Sequence, residues 1–310
     1  MINISTYFKL KVKQEKLDFV DVKLDDDNEL FVDPRLIELS NNPLLKNMAS
    51  SLKFYSSNLI KGIITKNKSQ VNYLLSGLEE PKETRLGFGW GNSNGNSIGP
   101  LLKPKFQNAI LNSDVLSSGK VNHWSELELI VENINCDRIS DMTTKIIKRH
   151  LIEFTQQQCL NLGIAMKQFT QTDIFNSATL IWESKTIELP FENIDGLERE
   201  IIFVPKEIVR RQKDANSNLA FFYRYAVQHY VLNDNDFLMT LPKNGKNNTV
   251  LKRDIRKSIS NLKETNSKWI LKYKNLLLDF KSFYSSEKLH TLSNEEITDI
   301  VYVDRFLKAA

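Results

Sequence analysis

ELELIVENINCDRISDMTTKIIKRHLIEFTQQQCL, residues 126–160, is the stretch on which the reading of the fold turns. Its first part, ELELIVENI, predicts a strand. The chain then turns through Asn135, Cys136, Asp137 and Arg138. A helix follows, with Ser140 as the expected N-cap and with Met142, Ile146, Ile147, Leu151 and Phe154 on one face. Gly163 is its expected C-cap. Asp137 and Asp141 therefore fall at a junction between strand and helix. Open α/β sheets carry their ligand chemistry at such junctions.

Working outward, residues 1–40 read as strands and turns. FKLKVK alternates apolar and charged residues, and DFVDVKL and ELFVDP flank a turn at Asp25 to Asn28. The acids Asp21, Asp25, Asp26 and Asp27 lack the glycine and terminal glutamate of a calcium loop, so a plain turn is expected. A helix starts near Arg35, and residues 43–78 are helical. Five of the eleven glycines lie between Gly87 and Gly99, in a segment too polar for a regular element. It has neither a Gly-Lys-Ser/Thr end nor a dinucleotide fingerprint. A mobile lid or substrate-contacting loop is expected, with Phe88 and Trp90 either stacking on a base or anchoring the loop. A helix is expected from Phe106 to Leu116. SATLIWESKTIELP and EREIIFVPKEIV read as strands, with a hairpin turn at Asp195-Gly196. After Arg210 the chain is helical.

The fold class expected is mixed α/β, with a central mixed sheet flanked by helices and a helical C-terminal region. The chain divides near residue 213, into a core domain, 1–212, and a helical extension or subdomain, 213–310.

Composition narrows the function classes. The 310 residues include two cysteines, Cys136 and Cys159, which suit a reducing compartment and exclude a disulfide framework. No apolar run has the ~20 residues needed to span a bilayer. The N-terminus has no signal-peptide core. A cytoplasmic bacterial protein without a membrane partner is expected. The net charge of +4 is unevenly spread. Residues 205–281 hold 16 Lys and Arg against 7 Asp and Glu, which leaves −5 for the rest. Lys252, Arg253, Arg256 and Lys257 lie opposite Leu251, Ile255, Ile259 and Leu262, and nucleic acid is the expected partner of that basic face.

Two constellations carry chemistry. Mg²⁺ is held by one or two carboxylates together with waters and phosphate oxygens. Asp137, Asp141 and Glu183 are the candidate ligands, and Lys185, on the same strand face as Glu183, is the candidate for stabilising phosphate charge. Asp141 followed by Glu183-Ser184-Lys185 resembles the PD-(D/E)XK nuclease superfamily. The resemblance implies a metal-dependent nuclease with Asp137, Asp141, Glu183 and Lys185 as catalytic residues. It departs from that family in placing a whole helix between the two elements. Glu80 and Glu83 are further candidate ligands. The second constellation, Arg224 to His229 (RYAVQH), resembles the motif of HEPN-type ribonucleases, which implies activation of a ribose hydroxyl without metal. The function expected is a metal-dependent nuclease in restriction or anti-phage defence. The rival is a non-catalytic nucleic-acid-binding or protein-interaction scaffold subunit of a complex.

Overall fold

The structure, a computed structural model, describes residues 2–87, 103–194, 196–211, 214 and 218–302. Of the glycine-rich segment only Gly87 is described. Phe88, Trp90 and the remainder to Gly99 lie outside the described residues, as does Asp195 of the expected hairpin turn.

The fold is a mixed α+β arrangement, helices outweighing strands. Helices at Pro34–Leu39, Pro43–Ile64 and Lys68–Ser76 stand where the sequence placed them. Each opens on a side-chain cap, from Asp33, Asn42 and Asn67, and proline fills the first helical position of two. The central helix, Cys136–Leu162, buries Ile139, Met142, Ile146, Ile147, Leu151 and Cys159 in one continuous apolar cluster. Gly163 ends it in the left-handed region, φ +66. There the Ile164 N–H reaches the Cys159 carbonyl.

Several expectations are corrected. ELELIVENI is not a strand but a 3-10 turn, Trp124–Glu126, and a short helix, Leu127–Ile130. Its alternation suggests a half-buried strand only if the acids face water. Glu126 and Glu128 are in fact buried with the leucines. Glu126 closes a capping box by accepting from the Asn122 and His123 N–H groups. The N-cap of the central helix is Asn135, not Ser140, its side chain accepting from the Arg138 N–H. Ser140 lies inside the helix, and its hydroxyl accepts from the Val32 N–H at 2.9 Å, which ties the helix to a strand. FKLKVK is irregular: Lys9 and Lys11 both sit at φ +54, outside the extended region of a regular strand.

The strands form three antiparallel pairs rather than one central mixed sheet. β1 (Leu30–Val32) pairs with β6 (Val209–Arg211), β2 (Lys167–Asn176) with β3 (Ile181–Leu189), and β4 (Phe191–Ile194) with β5 (Leu197–Glu200). Gly196 at φ +77 sits in the turn of the last pair. Ile201 to Val204 are buried yet join no ladder among the described residues. Three of their N–H groups go singly elsewhere: Ile201 to the Pro190 carbonyl, Ile202 to the Glu83 carbonyl, Phe203 to the Thr155 hydroxyl.

The C-terminal helices Asn218–His229, Leu262–Lys272, Leu276–Glu287 and Asn294–Val301 share that apolar cluster, so the change of character near residue 213 is not a break in the core. A polar knot reinforces the join. The Asp33 carboxylate accepts from the Arg35 N–H, from its guanidinium at 2.9 and 2.8 Å, and from Arg210 at 3.1 Å. Arg210 also donates to the Tyr284 hydroxyl at 2.7 Å, and Arg35 lies over the Tyr284 ring. Glu128 stands 3.6 Å from Arg35 and accepts from the Asn218 amide.

Burial pushes the Glu128 carboxyl up to about 7, against the pull of Arg35. The folded chain therefore holds this proton more tightly than the unfolded chain. Its contribution to stability is full below pH 4.5 and falls as pH rises to about 7, by on the order of 3 kcal/mol. Glu128→Gln is expected to flatten that decline between pH 5 and pH 8 in urea titrations. Parallel pH profiles for the two proteins overturn it.

Candidate functional site

Two sites emerge, one acidic and one basic. The acidic corner forms on the first turns of the central helix. Asp137 lies in the first turn, where the helix dipole favours a negative charge, and Asp141 one turn on. Glu80, just before the 3-10 turn Lys82–Thr84, acts on Asp141 through its charge, while Glu83 inside that turn pairs with Lys148. Burial raises the Asp141 carboxyl well above its usual range, and the neighbouring Asp137 and Glu80 add to the rise. Asp137 is raised by burial, Glu80 by burial and by Asp137. Gly87, at φ +86, sits beside the Asp137 carboxylate, and its backbone pairs with Asn28.

Two lysines complete the corner. Lys148 reaches Glu83 at 2.5 Å and the Thr172 carbonyl at 3.2 Å. Lys145 lies 3.9 Å from Asp173. Both are buried. Burial opposes ionisation of Glu83, yet Lys148 and Lys145 hold its carboxyl below the ordinary value. Burial lowers Lys145, against the pull of Glu83. Asp173 sits at φ +54 in an irregularity of the β2–β3 register between Gln171 and Ile174. Such bulges re-aim a side chain, at the cost of a strained backbone.

Sequence reading missed Lys145, Lys148 and Asp173. The spacing 137, 141, 145, 148 follows one face of a helix, and that signal was available. The strain at Asp173 was not.

Glu183 and Lys185 lie opposite Ile174 and Gln171, the residues that flank the irregularity at Asp173. On β3 they pair with each other at 2.6 Å, and Glu183 also accepts from Asn176 at 2.6 Å. Hydrogen bonds from Lys185 and Asn176 hold the Glu183 carboxyl below its ordinary value, and the charges of Lys185 and Arg149 add to this. The predicted four therefore divide: the two aspartates come together, and the Glu-x-Lys pair forms its own contact on β3. Among the described residues no group of three or more His, Cys, Asp and Glu is placed to hold a metal ion. The Asp137–Asp141 pair does match the one or two carboxylates with which proteins hold a largely hydrated Mg²⁺.

The basic site is a groove of about 550 Å³ among the C-terminal helices. The Asn218–His229 helix buries Phe222, Ala226 and Val227 against the core, which turns Phe221, Arg224, Tyr225 and Gln228 outward. The short helix Lys252–Lys257 buries Ile255 and presents Lys252, Arg253 and Arg256. Lys288 and Phe283 close the groove. Among the described residues its lining thus holds five cations and no carboxylate. Lys252 donates to Gln228, and Arg253 lies 3.8 Å from Asp254 behind it. Lys257 shares the short helix but does not line the groove. Arg224 and His229 do line it, so two features that the sequence kept separate meet here.

A family model described as a domain of unknown function, DUF8370, matches residues 9–216. The chain belongs to the DUF8370 family. No curated protein and no solved structure matches it. The DUF8370 segment contains the whole acidic corner, Glu80 to Asp173, whereas the groove residues, Phe221 to Lys288, lie beyond it. Among the described residues no helix is long and apolar enough to cross a membrane.

Proposed function

We propose that this chain binds nucleic acid through the basic groove. The observation that carries the reading is the lining itself: among the described residues, Arg224, Lys252, Arg253, Arg256 and Lys288 surround aromatic rings with no carboxylate between them. Five like charges held together repel unless water or an anion answers them. A phosphate backbone answers all of them at once and releases its counterions in doing so. The test is a binding titration of the full chain with DNA and RNA oligonucleotides at several salt concentrations. The expected result is an affinity that falls linearly in log–log form. A protein that binds neither, or whose affinity is indifferent to salt, does not use the groove in this way.

The second reading is a metal-dependent nuclease, and the convergence of Glu80, Asp137 and Asp141 favours it. Carboxylates kept together against their repulsion are a frequent mark of a working site. In this reading Asp137 and Asp141 hold the ion, in place of the Asp137, Asp141 and Glu183 set. Lys145, rather than Lys185, is the lysine near the reacting phosphate. Magnesium would supply Lewis-acid stabilisation of the phosphate charge. A cytoplasmic setting and a role in restriction or anti-phage defence belong to the same proposal.

Incubation with DNA and RNA, with Mg²⁺ or Mn²⁺ and with chelator, tests the activity. Asp141→Asn is expected to lower metal-dependent cleavage by at least about 100-fold. The same change relieves like-charge repulsion, so the melting temperature should hold or rise. Cleavage at the wild-type rate removes Asp141 from the mechanism. A large fall in melting temperature assigns it to the fold instead.

A further inference from the structure

Resting on the nucleic-acid reading of the groove, we infer that its ligand is an unpaired strand and not a duplex. Three observations carry this. The first is size. A concave site of about 550 Å³ is in the range that encloses a drug-sized molecule. A duplex, whose major groove alone is about 12 Å wide, lies across such a site without entering it.

The second is the rings. Phe221, Tyr223, Tyr225 and Phe283 all line the groove and all are partly exposed. Tyr225 lies 4.4 Å from the His229 ring and 5.0 Å from Phe283, so neighbours on two sides hold it in place. An aromatic wall offers stacking to a base whose face is free, and in a duplex those faces are covered by neighbouring pairs.

The third is the order of charge and ring. Arg224 and Lys288 sit 4.7 and 5.6 Å from the Phe221 ring, and Arg256 sits 5.9 Å from Tyr223. Charge and ring thus lie side by side, as phosphate and base do along a single strand. The unpaired strand can be DNA or RNA, because backbone charge and base faces are common to both.

The experiment is fluorescence anisotropy with the full chain at fixed salt. Labelled single strands of roughly 12 nucleotides, within the span one such site covers, are compared with duplexes of the same sequence, as DNA and as RNA. Single strands are expected to bind at least tenfold more tightly in one or both chemistries. Tyr225→Leu keeps apolar bulk against Phe280 and Phe283 while removing the ring. It should weaken single-strand binding by roughly 5- to 150-fold, the loss expected of one stacked base, and leave duplex binding nearly unchanged. Tyr225→Phe should retain wild-type affinity. Should Tyr225→Leu fail to fold, Phe221→Leu serves the same purpose at the neighbouring ring. Duplex binding as tight as single-strand binding, or leucine variants that bind single strands like the wild type, overturn the inference and leave the nucleic-acid reading standing. Binding of neither form removes both.

Discussion

Asp33→Ala is expected to cost about 3–5 kcal/mol of folding stability. Asp33 is buried, and its carboxylate is shared by two guanidinium groups, from Arg35 and Arg210. Removing one partner of a buried pair leaves an uncompensated charge, and here two charges lose their acceptor together. Arg210 is itself buried and keeps only the Tyr284 hydroxyl and a long contact to the Asp214 carbonyl, among the described residues. The Asp33 side chain also caps the Pro34–Leu39 helix, so the cap is lost as well.

The same residue sets an acid limit. Burial opposes ionisation, but Arg35 and then Arg210 hold the Asp33 carboxyl down at about 2. A depressed carboxyl stabilises the fold above its unfolded value, 3.8, and that contribution disappears as pH falls to about 2. Urea titrations at pH 7 and pH 3 check both statements. A variant within about 1 kcal/mol of the wild type at pH 7 shows that the knot is not what joins the C-terminal helices to the rest.

The second large effect is on binding. Reversing Arg224, Lys252, Arg253 and Arg256 to glutamate removes four candidate phosphate contacts. Each contact contributes about 0.7–0.9 to the log–log salt slope, so the slope should flatten by roughly 2.8–3.6. At 0.1 M salt the same count predicts an affinity about a thousand-fold lower. All four side chains are exposed and the buried face of each helix is untouched, so the melting temperature should change little. Lys257→Glu is the control. It makes the same kind of charge change on the same short helix but outside the groove. Equal slopes for the wild type and the quadruple variant detach the groove from nucleic acid, and an equal effect per charge from the control makes it a matter of net charge.

What the sequence made legible was whatever a local rule governs. Proline after Asp33 and after Asn42 marks two helix starts, and Gly163 marks a helix end. The apolar face of the central helix follows from periodicity, and so does the burial of Ile255 and Ile259, but the single helix expected from Leu251 to Leu262 breaks after Lys257 and restarts at Leu262. Illegible was whatever depends on a distant partner. Glu126 and Glu128 look solvent-facing until Lys281, Arg35 and Asn218 arrive from elsewhere in the chain. Ile201 to Val204 look like a strand, but the N–H groups of Ile201, Ile202 and Phe203 find acceptors at three separate places, Pro190, Glu83 and Thr155. The same holds for the candidate sites. Asp137 and Asp141 were found because they sit one helical turn apart. Glu80 was weighed as a lesser ligand, and Asp173 was missed, because both enter through tertiary contact.

The N-terminal segment has a consequence for synthesis. The Asn3 side chain donates to the Val301 carbonyl, and the Tyr302 hydroxyl bonds Asp21. Phe19 stacks on Phe203, and β1 finds its only ladder partner, among the described residues, in β6. A ribosome adding 5–20 residues per second needs about 15–60 s to travel from residue 3 to residue 301. For that interval the first thirty-odd residues hold half of a structure whose other half does not yet exist. Val20, Val22, Leu24 and Leu30, all buried in the finished protein, lack the late-made part of their surroundings on the nascent chain. A holding chaperone is therefore expected to crosslink to this segment on stalled ribosomes, and to let it go once translation has passed residue 302.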